Sequence, residues 1–155
     1  MIKVAHINKS FGANDVLRDV SFEVGEGESV AIIGRSGTGK SVLIKHLIGL
    51  LHPDTGEVCI EGENLVDMAE RKLLQIRQKF GMLFQGAALF DSMNVHDNIA
   101  FPLRRAGVED EVEITERVEE VLKLVELEGK GAQLPSELSG GMQKRVGLAR
   151  AIVHH

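Results

Sequence analysis

The 155 residues include one cysteine, three prolines, no tryptophan and no tyrosine. A lone Cys59 excludes an internal disulfide framework and fits a reducing compartment. It lies in an apolar-alternating segment and reads as a buried strand cysteine. Long hydrophobic runs are also missing. No stretch approaches the roughly 18 consecutive apolar residues that span a bilayer, so direct membrane insertion is not expected and any membrane association would come through a partner. The opening MIKVAHINKS lacks the apolar stretch of a signal peptide, which makes the cytoplasm the expected location. The net charge is −5 with both signs interspersed, and this argues against nucleic-acid binding by bulk charge. There is no internal repeat and no low-complexity segment. What is present is 43% hydrophobic sequence, enough to bury the core of one ordinary globular domain.

Strand patterns dominate up to Gln85 and helix patterns follow it. IKVAHI (2–7) and VLRDVSFEV (16–24) read as strands, with GEGE (25–28) as a turn. SVAIIG (29–34) is a short continuous apolar run of the kind buried on both faces of a parallel sheet. A loop over 35–39 leads into a helix from about Gly39 to Leu50. HPDTGE (52–57) reads as a turn, EVCIEG (57–62) as a strand, 69–78 as a helix, and FGMLFQ (80–85) as a second buried-type strand. Beyond Gln85, FDSMNVHDNIAFPL (90–103) opens with polar caps, and Pro102 is expected to end or kink its helix. Residues 110–127 place Val118, Val121, Leu122 and Val125 at helical spacing beside a charged face. LPSELSGG (134–141) reads as a loop, and GMQKRVGLARAIV (141–153) as a helix capped by Ser139 or the glycines after it.

The stretch Gly34-Arg35-Ser36-Gly37-Thr38-Gly39-Lys40-Ser41 satisfies G-x-x-x-x-G-K-[ST] and lies between an apolar run and a helix, where that motif belongs. Its glycines let backbone N–H groups turn inward around phosphate oxygens. The helix N-terminus adds partial positive charge. Lys40 would reach the β and γ phosphates, and the Ser41 hydroxyl would ligate Mg²⁺. LSGGMQKR (138–145) forms a second anion-type site at a helix start. Taken alone, Ser-Gly-Gly is also an ordinary loop and cap.

Together these stretches resemble the ATP-binding cassette (ABC) ATPases: GRSGTGKS as Walker A, Gln85 as the Q-loop glutamine, and LSGGMQ as the signature. The resemblance covers the whole chain. It implies an α/β P-loop NTPase fold with an N-terminal antiparallel β part, a partial parallel sheet core and a helical subdomain. Residues 1–85 would form a β-rich nucleotide-binding core, and 86–155 a helical subdomain with the start of a return to that core. ATP and Mg²⁺ are the implied ligands, with Ser41 and Gln85 on the metal. Phe11 falls where an aromatic, more commonly Tyr, stacks on adenine; a strand-end core aromatic is the alternative. Ser139, Gly140, Gly141, Met142 and Gln143 would touch ATP held by an opposite protomer, in a head-to-tail homodimer. Met142-Gln143 stands where many members have Gln alone or a Gln pair.

LFQGAALFDSMNVHDNIAFPLRR (83–105) and PSELSGGMQKRVGLARAI (135–152) are similar to the ATPase subunit of Mla/MCE-type phospholipid transport systems. That branch implies a permease docking near 86–105 and a peripheral position at the inner face of the cell membrane. The resemblance also implies elements downstream of the signature helix: a Walker B Asp-Glu, a D-loop and a switch histidine. None is present, and His154 and His155 lack the apolar strand that would precede a switch histidine. The sequence is therefore expected to represent the N-terminal part of a cassette without its C-terminal third. Such sites act by positioning and charge stabilisation, so little or no ATPase activity is expected of it alone. The strand expected next would lie inside the parallel sheet, and without it SVAIIG and GMLFQ should show unpaired backbone. Other readings are the ATPase subunit of another ABC importer or exporter branch, a non-hydrolysing ATP-binding module, and a DNA-repair or chromosome-structure ATPase head. Continuous motifs, acidic charge and the absence of a Cys cluster disfavour the DNA-repair head.

Overall fold

The computed structural model describes residues 1–154, which fall into two compact units, one Met1–Arg77 and the other from Gln78 onward. In the first unit, β1 (Ile2–Phe11) and β2 (Asn14–Val24) pair as a hairpin around Gly12 and Ala13. Helix α1 (Lys40–Leu47), β3 (Thr55–Ile60), the short β4 (Glu63–Asn64) and α2 (Glu70–Arg77) complete it. The four strands form one sheet in the order β2-β1-β3-β4, and every pairing is antiparallel. Val4 and Ile7 of β1 are buried, as are Val58 and Ile60 of β3 and Leu43 of α1; three residues apart, the first two do not follow strict alternation, and a register shift lies between them. Register shifts interrupt β1 between Val4 and Ser10, and His6 there takes a left-handed φ of 52°. Gly56 of β3 passes this irregular stretch so closely that a Cβ would lie 2.4 Å from the His6 carbonyl oxygen.

Helix α1 ends two residues before Gly49, which has φ 65°. The Gly49 N–H donates to His46 O and the Leu50 N–H to Lys45 O, a Schellman closure that stops the helix short of the expected Leu50. Arg77 of α2 then donates to the freed carbonyls of Ile48 and Gly49. At the other end of the sheet, Asp54 ties the α1–β3 turn to β1. It accepts from Lys9 Nζ at 2.6 Å and from the Ser10 N–H at 2.7 Å.

The second unit is helical, with α3 (Val95–Arg105), α4 (Glu111–Leu124), a 3₁₀ turn (Pro135–Glu137) and α5 (Gly140–Ile152). Each α-helix here begins on a side-chain cap. Asn94 accepts from the Asp97 N–H, Asp110 from the Val112 N–H, and Ser139 from the Met142 N–H. The apolar stripe read from 110–127 is buried as expected, with Val118, Val121, Leu122 and Val125 packed against Ile99, Leu103, Val146 and Ala149. Pro102 does not end its helix: α3 runs on through Arg105. Only the Asn98 carbonyl loses its i+4 donor to the proline, and the last turn is closed by the Ala106 N–H donating to Pro102 O and Leu103 O.

The expected parallel strands at 29–34 and 80–85 are not formed, and among the described residues the one sheet is antiparallel. A run of buried-type residues makes a strand only when a neighbour supplies a hydrogen-bonding ladder, and neither run has one within its own unit. Both are exposed instead. Ile33 is 92% exposed, Val30 55%, and Leu83 and Phe84 46% each. No helix among the described residues is long and apolar enough to cross a membrane.

Candidate phosphate site and signature loop

The loop at 34–39 is built around glycine. Gly37 and Gly39 take left-handed φ angles of 82° and 92°, a region that costs an L side chain and not glycine. Gly39 also faces β2, where a Cβ would lie 2.9 Å from Val16 Cγ1 and 3.0 Å from the Val16 carbonyl oxygen. At Gly34 a Cβ would come within 2.9 Å of Thr38 Oγ1, the hydroxyl that closes the loop by donating to Arg35 O. Gly34 and Gly39 are thus held to glycine by their own neighbours, and Gly37 and Gly39 by their backbone angles.

Helix α1 starts on this loop with Gly39 at its N-cap, no side-chain cap and no acidic residue in its first turn. Its leading N–H groups are left for an outside acceptor. Lys40 Nζ donates to Gly34 O at 2.8 Å and to Arg35 O at 2.6 Å, so the ammonium is held over the loop by carbonyls alone. Ser36 and Ser41 are exposed. This donor set fits a polyphosphate: converging amides, one lysine, no carboxylate. Among the described residues no group of three or more His, Cys, Asp or Glu is placed to hold a metal ion.

Phe11 ends β1 at 48% exposure, so its place in the core, the alternative reading, is excluded. Lys9 Nζ stands 5.6 Å from the ring centroid and covers one face. Gln85, in the second unit, is exposed at the head of a turn over 85–88. Ser139, Gly140 and Gly141 are exposed at the start of α5, whose first turn also lacks an acidic residue. Neither glycine needs to be one for its own fold. Their φ angles are not left-handed, and a Cβ would meet nothing within 4 Å at Gly140 and only Ser139 Oγ at 4.0 Å at Gly141. Met142 packs against the helical core. Gln143 turns inward, with Nε2 donating to Pro135 O at 2.8 Å and Leu138 O at 3.4 Å, and so staples the loop that precedes α5.

Sequence reading missed the supporting residues. Lys9, Asp54 and Arg150 carry no motif. Asn98, wholly buried, accepts from the Phe90 N–H and donates to Phe90, Met93 and Asn94 carbonyls, shaping the loop before α3. An asparagine at a core position of α3 was the available signal.

The sequence profile of the family described as ABC transporter matches residues 17–155. The chain is 48% identical over 152 residues to the probable ribonucleotide transport ATP-binding protein mkl of Mycobacterium leprae, covering 98% of this chain and 44% of that protein. It is 44% identical over 154 residues to the chloroplastic protein Trigalactosyldiacylglycerol 3 of Arabidopsis thaliana, and 42% identical over 158 residues to the methionine import ATP-binding protein MetN 1 of Acinetobacter baylyi. Each of these matches covers 99% of this chain and 44% of the relative, so the chain spans less than half the length of such relatives. Among solved structures, a dimeric post-hydrolysis state of the ATP-binding cassette MJ0796 bound to ADP and Pi superposes with a TM-score of 0.89 at 34% identity, covering 99% of this chain and 69% of that one. A second dimeric structure of the same cassette gives 0.90 at 35% identity, with the same shares covered. Walker-type loop, glycine-led helix start and shared fold agree: the chain belongs to the ABC transporter family, as part of its ATP-binding cassette.

Proposed function

We propose that residues 34–41 bind the phosphates of MgATP, and that the protein at its full natural length couples ATP hydrolysis to transport through a membrane permease. The observation that carries this is Lys40, held by two loop carbonyls at the start of an uncapped helix whose approach demands glycine. On binding, Lys40 exchanges those carbonyls for β- and γ-phosphate oxygens, and the first amides of α1 donate to the same anion. Ser41 and Gln85 hold the Mg²⁺, whose charge neutralises the phosphate oxygens. Phe11 stacks on adenine with the face that Lys9 leaves open.

Ser139, Gly140 and Gly141, with Met142 and Gln143 behind them, receive the nucleotide of an opposite protomer in a head-to-tail homodimer. Two exposed glycines that their own unit does not require support this reading, as does the dimeric state of the MJ0796 cassette in both of its structures. The cargo is a phospholipid, and the permease docks near 86–105, which puts the protein at the inner face of the cell membrane. Support comes from the likeness of 83–105 to lipid-transport ATPases and from a relative named for a diacylglycerol lipid. Other relatives are named for ribonucleotide transport and methionine import.

Calorimetric titration of the full-length protein with MgATP tests the central step. Saturable binding that Lys40→Ala abolishes is the expected result. Binding unchanged in that variant would place the phosphates elsewhere and overturn the reading.

A further inference from the structure

We propose that Arg150 is a positioning residue for Gln85, its guanidinium strapping the turn that carries Gln85 to helix α5. Nη1 donates to Ala88 O at 2.8 Å and Nη2 to Ala87 O at 2.7 Å. These two alanines have φ angles of 47° and 59°, a left-handed conformation that L residues adopt rarely and that persists where surroundings over-determine it. The inferred consequence for turnover rests on the reading of Gln85 as a ligand of nucleotide-bound metal; the strap itself rests on geometry alone.

The surroundings are one-sided. The Phe90 ring lies 6.0 Å from the guanidinium carbon and itself packs at a tilt of 52° against Phe101, centroids 4.9 Å apart. Gly147, one turn before Arg150, lets α5 approach so closely that a Cβ would lie 2.9 Å from Leu83 Cδ1 and 3.2 Å from Ala87 Cβ. Ala87 is buried, whereas Gln85 and Gly86 are exposed. The strap therefore grips the turn just behind the glutamine and leaves the glutamine free to meet a ligand. Burial lowers the Arg150 pKa, yet the bonds found for it go to carbonyls. A planar fork that reaches two adjacent carbonyls is a task lysine does not duplicate.

Helix α5 carries the signature residues at its other end. Eleven residues at the helical rise put Ser139 about 16 Å from Arg150 along one rod. A displacement of the Gln85 turn is thus borne by the same helix that presents Gly140 and Gly141. Arg150 links a group awaiting one nucleotide to a loop awaiting another.

Amide hydrogen exchange and ATP turnover, measured on the full-length protein, test this together. Arg150→Ala and Arg150→Lys should each speed exchange at residues 85–90 and leave α3 and α4 unchanged. Turnover should fall about 10- to 100-fold, the range for residues that orient a metal ligand, with MgATP binding retained. The double variant Arg150→Ala/Gln85→Ala should be no slower than Gln85→Ala alone, a non-additivity that general destabilisation does not produce. Unchanged exchange at 85–90, full turnover in either Arg150 variant, or additive losses would overturn the proposal. If Gln85→Ala leaves turnover intact, it is the reading of Gln85 that fails, and exchange at 85–90 still decides whether Arg150 holds the turn. Should Arg150→Ala not fold, Arg150→Lys carries both measurements.

Discussion

Two helix starts in this chain offer amides to solvent, and they are built by opposite means. At α1 the glycines are demanded from within: Gly39 is left-handed and wedged against Val16, and Gly34 is wedged against Thr38. At α5 a serine caps the helix in the ordinary way, and the glycines after it face open space. The first loop is shaped by its own unit. The second has glycine where its own unit would accept, and a helix would prefer, alanine. Glycine retained at such a cost points to something outside the unit that must come close. One loop needs its glycines for its own shape; the other, on the reading proposed above, keeps them for a partner.

Substitutions should separate the two. Lys40→Ala has the largest expected effect, a loss of MgATP affinity of at least about 100-fold, since a charge-assisted contact to phosphate is removed from a site with no other cation on the loop but Arg35. Calorimetry reads this directly, and an affinity within threefold of the parent would break the comparison at its first term. Gly39→Ala should lower folding stability by about 1–3 kcal/mol through left-handed strain and the Val16 contact, seen as a shifted urea midpoint. Ser139→Ala should cost about 1 kcal/mol as a lost cap.

The sharpest contrast is Gly140→Ala. It should leave the urea midpoint unchanged or raise stability by up to about 1 kcal/mol, while weakening ATP-dependent dimerisation in sedimentation. A destabilised fold with intact dimerisation would reverse the assignment of the two loops.

The smallest effect is electrostatic. Hydrogen bonds from Lys9 and then the Ser10 N–H hold the Asp54 carboxyl below its ordinary value of 3.8. The Arg104 guanidinium, aided by His96, does the same for Asp97. A depressed folded-state pKa contributes stability above the unfolded value that is lost as pH falls through the folded one. The contribution of these two carboxylates should therefore be complete near neutrality and be lost below about pH 4. Asp54→Asn should remove only a small part of that loss, because the Asp54 carboxylate is open to solvent and screened. A midpoint that moves between pH 6 and 8 would mean another group titrates.

The glycine-lysine loop was legible because its chemistry is local: five or six consecutive residues supply the turn, the amides and the ammonium. The helices of the second unit were legible too, since Asn94, Asp110 and Ser139 each stand before a 3.6-residue apolar period that binds their position. Their stopping points were less so, as Pro102 shows. The runs 29–34 and 80–85 misled for a definite reason. Their composition states a preference for burial on both faces, but a strand is a relation between two segments, and composition says nothing of the partner.

Sequence by itself thus determined the family, the phosphate loop and the helical periods, all set by contacts within a few residues. Tertiary structure alone decided that Phe11 is exposed with one face taken by Lys9, that Asn98 shapes the loop before α3, and that Arg150 grips the Gln85 turn from 62 and 63 positions away. Such contacts form between segments brought together by packing, and no local pattern encodes them.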